Sequence, residues 1–261
     1  MTDDRPPKPL RGLAPLKPAL DLLIPLVAWT YFTLGWVFFF APVYLGLVLT
    51  AGDKETACQR LLHRFFRVFF KLLEAGAPGL RIRVDSEAGR IRSSVVVSNH
   101  ISYLDPILFI ALFPRHKTIV KSSLFRIPIF GRVLRRAGYL PAAPEAGLEG
   151  VMIDGISNLK PFLEQGGNIF VFPEGTRRRR GEGIGPFNPG AFKIARRTGA
   201  PVAVLRIRNT QHLFPPGRFR FNTCVANTIR IERIGTLDPG EYGSVSEIMT
   251  AARTLMAGEA P

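Results

Sequence analysis

From Leu22 to Gly52 the chain runs for 31 residues without a charge, LLIPLVAWTYFTLGWVFFFAPVYLGLVLTAG. About 18 consecutive apolar residues suffice for a membrane-crossing helix, so this stretch constrains the fold more than any other. A buried core helix is disfavoured, because so many large aromatics would need a much larger domain to cover them. The run is too long for the apolar part of a signal peptide, and no small-residue cleavage site follows it. Two forms remain. One is a single tilted span. The other is a pair of short re-entrant helices, since Pro25 and Pro42 interrupt the run. Trp29, Tyr31, Trp36 and Tyr44 are candidate interface anchors.

Basic residues flank the run. Arg5, Lys8, Arg11 and Lys17 precede it, and Lys54, Arg60, Arg64, Arg67 and Lys71 follow. The slightly richer second flank places the body on the cytoplasmic side, as does a hairpin with both flanks inside. The expected location is a membrane, the bacterial inner membrane, with the body facing the cytoplasm. The whole chain carries 35 Lys+Arg against 20 Asp+Glu, a net charge of +15. Such a surface suits anionic lipid, an acidic protein or nucleic acid. Nucleic acid is the poorest fit, because the basic residues border membrane-seeking sequence. Cys58 and Cys224 have no metal-binding or CxxC spacing. Cys58 is expected on a membrane-facing helix, which makes a disulfide improbable and fits a reducing compartment.

Residues 1–18, rich in Pro, Lys and Arg, read as a disordered tail. Residues 19–78 read as a membrane-associated helical segment. Within it CQRLLHRFFRVFFKLLEAG (58–76) places Arg60, Arg64, Arg67 and Lys71 on one helical face, with Leu and Phe filling the rest. Two readings fit: a helix lying in the interface of anionic lipid, or one packed on the core with a solvated basic edge.

After residue 79 the pattern becomes α/β. Apolar β runs at 80–84, 94–99, 118–122, 168–172, 201–208, 219–226 and 228–234 are interleaved with helical segments at 106–113, 124–138, 152–165, 190–199 and 244–258. That alternation predicts one α/β domain, 79–261, with a mostly parallel sheet flanked by helices. Asp105 is a candidate N-cap of the 106–113 helix, and Ser244 with Glu247 forms a capping box.

Ligands of such sheets sit beyond the carboxyl ends of the strands. Two strands here run straight into polar chemistry, VVVSNHISYLD (95–105) and NIFVFPEGTRRRR (168–180). On one continuous helix, five residues would leave His100 and Asp105 roughly 140° apart. A strand end followed by a turn brings them together instead. The carboxylate then holds one imidazole nitrogen and leaves the other to take a proton. Ser98 and Ser102 lie nearby, but neither stands in a nucleophile elbow, so the substrate would supply the hydroxyl. By itself the spacing also suits a satisfied histidine beside a helix cap. The run Arg177–Arg180 suits a phosphate or carboxylate, and equally a solvated loop.

Together these residues resemble the glycerolipid acyltransferase family, the 1-acylglycerol-3-phosphate O-acyltransferase-like enzymes. NHISYLD (99–105) matches the NHxxxxD block and FPEGTR (172–177) a second. Between them KSSLFRIPIFGRVLRRAG is similar to a third block, through Lys121, Leu124, Pro128 and Gly131. FNPGAFKIARRTGAPVAVL (187–205) looks like the segment leading to the fourth. The resemblance covers about 80–210 and implies a membrane-bound enzyme. It would move a fatty acyl group from acyl-CoA or acyl-carrier protein to a lysophospholipid hydroxyl such as that of lysophosphatidate. His100 would be general base and Asp105 its orienter. Glu174, Gly175, Thr176 and Arg177, with Lys121 and Gly131, would bind substrate. The family implies no metal, no cofactor and no nucleic acid.

Two departures stand out. After Gly138 the chain reads YLPAAPEAG, lacking the arginine many members place there, and Val204 stands where a second proline is usual. An acceptor other than lysophosphatidate, such as a lyso-ornithine lipid, therefore stays open. A non-catalytic basic module tethered to the membrane is the reading from outside the enzyme class.

Overall fold

The computed structural model describes residues 7–143, 145–177, 183–215 and 220–258. Its first feature is a helical hairpin. Helix α1 (Lys17–Gly35) passes through a wider π turn at Trp36–Phe40 into α2 (Ala41–Thr50), and α3 (Lys54–Gly76) returns beside both. Neither proline breaks the helix. Pro42 lacks an N–H, and the widened turn before it relieves the clash of its ring with the preceding carbonyls. The outcome is one long helix rather than two short ones. Arg11–Thr50 is long and apolar enough to cross a membrane, and its most apolar window is only 11% buried.

Aromatic packing closes the hairpin. Tyr31 stacks on Phe65 at 4.8 Å and donates to the Phe65 carbonyl at 2.9 Å. Trp36 and Phe40 meet the same ring edge-on. Asp53 caps α3 by accepting the Thr56 N–H at 3.0 Å. Helix α3 packs on the core, and its basic row is exposed. Phe65, Phe66, Phe69 and Phe70 are buried, while Arg60, Arg64, Arg67 and Lys71 line the solvent edge. Cys58 also faces inward, toward the Val133 carbonyl at 3.9 Å, which corrects its expected membrane-facing position.

The part of the tail from residue 7 onward follows a defined course. The Leu10 N–H donates to the Cys224 carbonyl, Lys8 accepts from the Ala226 N–H, and Lys17 Nζ donates to Asn222 Oδ1 at 2.8 Å. Paired backbone groups hold this segment to the body where composition alone suggested disorder.

The body alternates as the sequence implies. Strand β1 (Leu80–Val84) leads to α4 (Ser86–Arg90), β2 (Val95–Ser98), α5 (Leu104–Leu112) and β3 (His116–Val120). Next come a 3₁₀ turn at Ser122–Arg126, α6 (Phe130–Arg136), β4 (Leu140–Pro141), α7 (Glu149–Ser157), α8 (Leu159–Glu164) and β5 (Asn168–Val171). The chain closes with α9 (Gly190–Thr198), β6 (Val202–Arg208), α10 (Thr210–Leu213), β7 (Asn227–Leu237) and α11 (Val245–Ala257). Among the described residues seven strands lie in the order β1-β7-β6-β2-β5-β3-β4, parallel throughout except for the β6–β7 pair.

Successive side chains of a strand point to opposite faces. Val96 accordingly packs with α3 and α5, and Val95 and Val97 pack with α8, α9 and α11. Residues 220–226 form no strand, contrary to the β pattern read over 219–226; Val225 makes an isolated bridge to Pro9. The parallel core matters for chemistry. It sends the carboxyl ends of β2, β5, β3 and β6 to a single edge.

Candidate active site

His100 follows the end of β2, and Asp105 lies in the first turn of α5. The turn between them brings His100 Nδ1 to 2.9 Å from Asp105 Oδ2. Asp105 is fully buried, and the His100 side chain is 15% exposed. The carboxylate can only accept, so Nδ1 carries the proton and Nε2 is left with a lone pair. Asp105 does not cap the helix from in front. It sits one residue inside and accepts backward, from the N–H groups of Ile101 and Ser102, both at 2.7 Å. Its other oxygen accepts from Thr210 Oγ1 at 2.6 Å.

The 172–177 loop, past β5, lies next to this pair. The Phe172 ring stacks on the imidazole at 4.4 Å with 23° between planes. Glu174 accepts the His100 N–H at 3.2 Å through Oε1 and the Gly185 N–H at 3.3 Å through Oε2. Gly175 has φ +68°, and a Cβ there would meet Asn188 Nδ2 at 2.7 Å. Asn188 in turn ties to the Pro173 carbonyl, so this turn strongly favours glycine. Thr176 is exposed, and the Arg177 guanidinium lies 3.2 Å from the centre of the Tyr103 ring. Arg178, Arg179 and Arg180 fall outside the described residues.

Lys121 follows β3 on the same edge and is exposed. Gly131 sits in the first turn of α6. Its would-be Cβ falls 2.1 Å from the Phe125 carbonyl, so it lets α6 close against the preceding 3₁₀ turn. The nearest atoms to that position are all backbone atoms of Phe125. Sequence reading missed Thr210, Tyr103 and Phe172 as neighbours of the site. It also missed Asn99, whose side chain donates to the Ile207 carbonyl at 2.9 Å and accepts the Ile207 N–H at 2.8 Å.

Residues 81–208 match the model of the Acyltransferase family. The chain belongs to the glycerolipid acyltransferase family. It is similar to the chloroplastic 1-acyl-sn-glycerol-3-phosphate acyltransferase BAT2 of Brassica napus, with 35% identity over 47% of this chain and 35% of that protein. The 1-acyl-sn-glycerol-3-phosphate acyltransferase of Salmonella typhimurium is 28% identical over 68% of this chain and 72% of its own. The match thus spans about a third of the plastid relatives' length. In fold, the chain resembles the crystal structure of the 1-acyl-sn-glycerophosphate acyltransferase PlsC from Thermotoga maritima. The TM-score is 0.67 and the identity 23%, covering 90% of this acyltransferase chain and 94% of that one.

Proposed function

We propose that this acyltransferase is membrane-bound and makes phosphatidate, moving a fatty acyl group from a thioester to the free hydroxyl of lysophosphatidate. The observation that carries this reading is the pair His100–Asp105 at the strand edge, with Nδ1 tied down and Nε2 left to accept a proton. In the reaction Nε2 takes the hydroxyl proton as the oxygen attacks the thioester carbonyl carbon. The tetrahedral intermediate collapses, the C–S bond breaks, and the proton passes from Nε2 to the leaving thiolate. No acyl-enzyme is needed. Asp105 keeps the imidazole in the competent tautomer.

Arg177 is the anchor for the acceptor phosphate, its guanidinium face held against Tyr103. Glu174 holds the backbone of His100 and residue 185 in place, so its part is to shape the site rather than to touch the acceptor. Acyl-CoA and acyl-carrier protein both bring the thioester, and both suit a chain of net charge +15. The names of the relatives favour lysophosphatidate over an aminolipid acceptor.

A greasy substrate requires access from the bilayer. Val37, Phe38, Phe39, Leu45 and Leu49 are at least half exposed on the long helix and form an apolar surface. This face docks the enzyme on the membrane. The basic flanks put the body on the cytoplasmic side of a bacterial inner membrane.

The test presents purified enzyme in lipid vesicles with labelled acyl-CoA or acyl-carrier protein and a panel of lyso-lipids, with products identified by mass. The expected result is phosphatidate formed with kcat/KM about tenfold or more above that of any phosphate-free acceptor, as a charged guanidinium–phosphate pair would give. A preference for lyso-ornithine lipid would move the acceptor assignment. No transfer to any acceptor would sink the reading.

A further inference from the structure

We propose that Thr210 is a positioning residue for the catalytic pair, its hydroxyl fixing the plane of the Asp105 carboxylate, which in turn fixes His100. This rests on His100 acting as the base. Thr210 and Asp105 are both fully buried, and the 2.6 Å bond between them spans 105 positions of sequence. The other three donors to the carboxylate, His100 Nδ1 and the N–H groups of Ile101 and Ser102, all converge on Oδ2. The terminal torsion of an aspartate is broad rather than locked in one well. Donors crowded on one oxygen leave the carboxylate free to rock about that atom. A donor on Oδ1 removes the freedom.

The chain goes to some length to deliver that donor. Strand β6 ends at Arg208, and Asn209 then turns with φ 70° and ψ 7°, a left-handed conformation uncommon for a residue other than glycine. The turn is held on two sides. Asn209 Nδ2 donates to the Thr228 carbonyl at 2.8 Å, and Asn227 Nδ2 donates to the Asn209 carbonyl at 3.3 Å. Upstream, the two bonds between the Asn99 side chain and Ile207 lock the end of β2 to the end of β6. The strands that lead to His100 and to Thr210 therefore keep fixed register. A threonine in a helix commonly returns its hydroxyl to a carbonyl one turn back. Here the hydroxyl goes to a charged group, where a hydrogen bond is strongest.

Thr210→Val keeps the shape and removes the donor, Thr210→Ala removes both, and Thr210→Ser keeps the donor. Each is assayed with lysophosphatidate and an acyl thioester beside His100→Ala, with rates per folded protein and melting curves recorded. A hydrogen bond to a charged group is worth enough to slow kcat by about 10- to 100-fold in the Val and Ala variants. KM should hardly move, and Ser should recover most of the rate. A Val variant with the wild-type kcat would overturn the inference. So would a Ser variant as slow as Val, or a rate loss that simply follows the loss of melting temperature. If His100→Ala is inert while Thr210→Val runs at full rate, the inference alone fails. If His100→Ala keeps full turnover, the base assignment fails and takes the inference with it.

Discussion

Asp105 shows how a single residue can be read correctly for partner and wrongly for place. The spacing of five from His100 argues against one helix and for a turn, and the 2.9 Å contact bears that out geometrically. Its expected position as N-cap fails because α5 begins one residue earlier, at Leu104. Thr210 could not be read at all: nothing local marks a threonine 105 positions away as a partner. Tyr103 was equally silent, standing inside NHISYLD as an ordinary aromatic until the fold laid Arg177 across it. A cation–π contact at a partly exposed site is worth about 0.5–2 kcal/mol. Tyr103→Ala should therefore raise KM for lysophosphatidate about three- to tenfold and change kcat less, while Tyr103→Phe behaves as wild type. Steady-state kinetics with varied acceptor decide it; an unmoved KM in the Ala variant would remove the platform role.

At the scale of elements, strands and helices with clear periodicity were legible, and their partners were not. The α3 pattern gave a basic row and an apolar remainder, but could not say whether lipid or protein covers the apolar side. Helix α1 and the π turn after it cover it, through Tyr31 and Trp36. The β pattern over 219–226 failed because the stretch before β7 is bound by the N-terminal segment rather than by a sheet neighbour. Strand β3 carries a feature that periodicity hides. His116 is fully buried, with Nδ1 on the Phe113 carbonyl at 2.7 Å and Nε2 on the Tyr139 hydroxyl at 2.7 Å. Burial pushes its pKa down from 6.5 to about 3. Burial pushes His63 down as well. The unfolded chain then binds more protons than the folded one between about pH 3 and 6.5, so stability is complete above that window and falls as pH drops through it. Melting temperature should fall between pH 7 and 5, and His116→Gln should flatten the slope. An equal slope in the variant would show that His116 is not the source.

At the scale of the whole molecule, one sheet edge gathers the chemistry and one helical face carries the exposed apolar surface. The long uncharged run foretold that face but not its attachment. Deleting residues 1–52 would strip the cover from Phe65 and Phe66, so substitution is the cleaner test. Changing Phe38, Phe39 and Leu49 to Ser should weaken vesicle binding by at least about tenfold, since each buried large apolar side chain contributes about 1.5–3 kcal/mol. Soluble-state melting should be unchanged, and undiminished co-sedimentation would assign docking to another surface. The proposed chemistry turns on Nε2 of His100, the nitrogen that Asp105 leaves free. The most direct measurement is single-turnover acyl transfer from a labelled thioester to lysophosphatidate by wild type and His100→Ala, both bound to vesicles. Phosphatidate is expected from the wild type and a rate lower by at least about 100-fold from the variant, with membrane binding intact. Equal rates from the two proteins would contradict it.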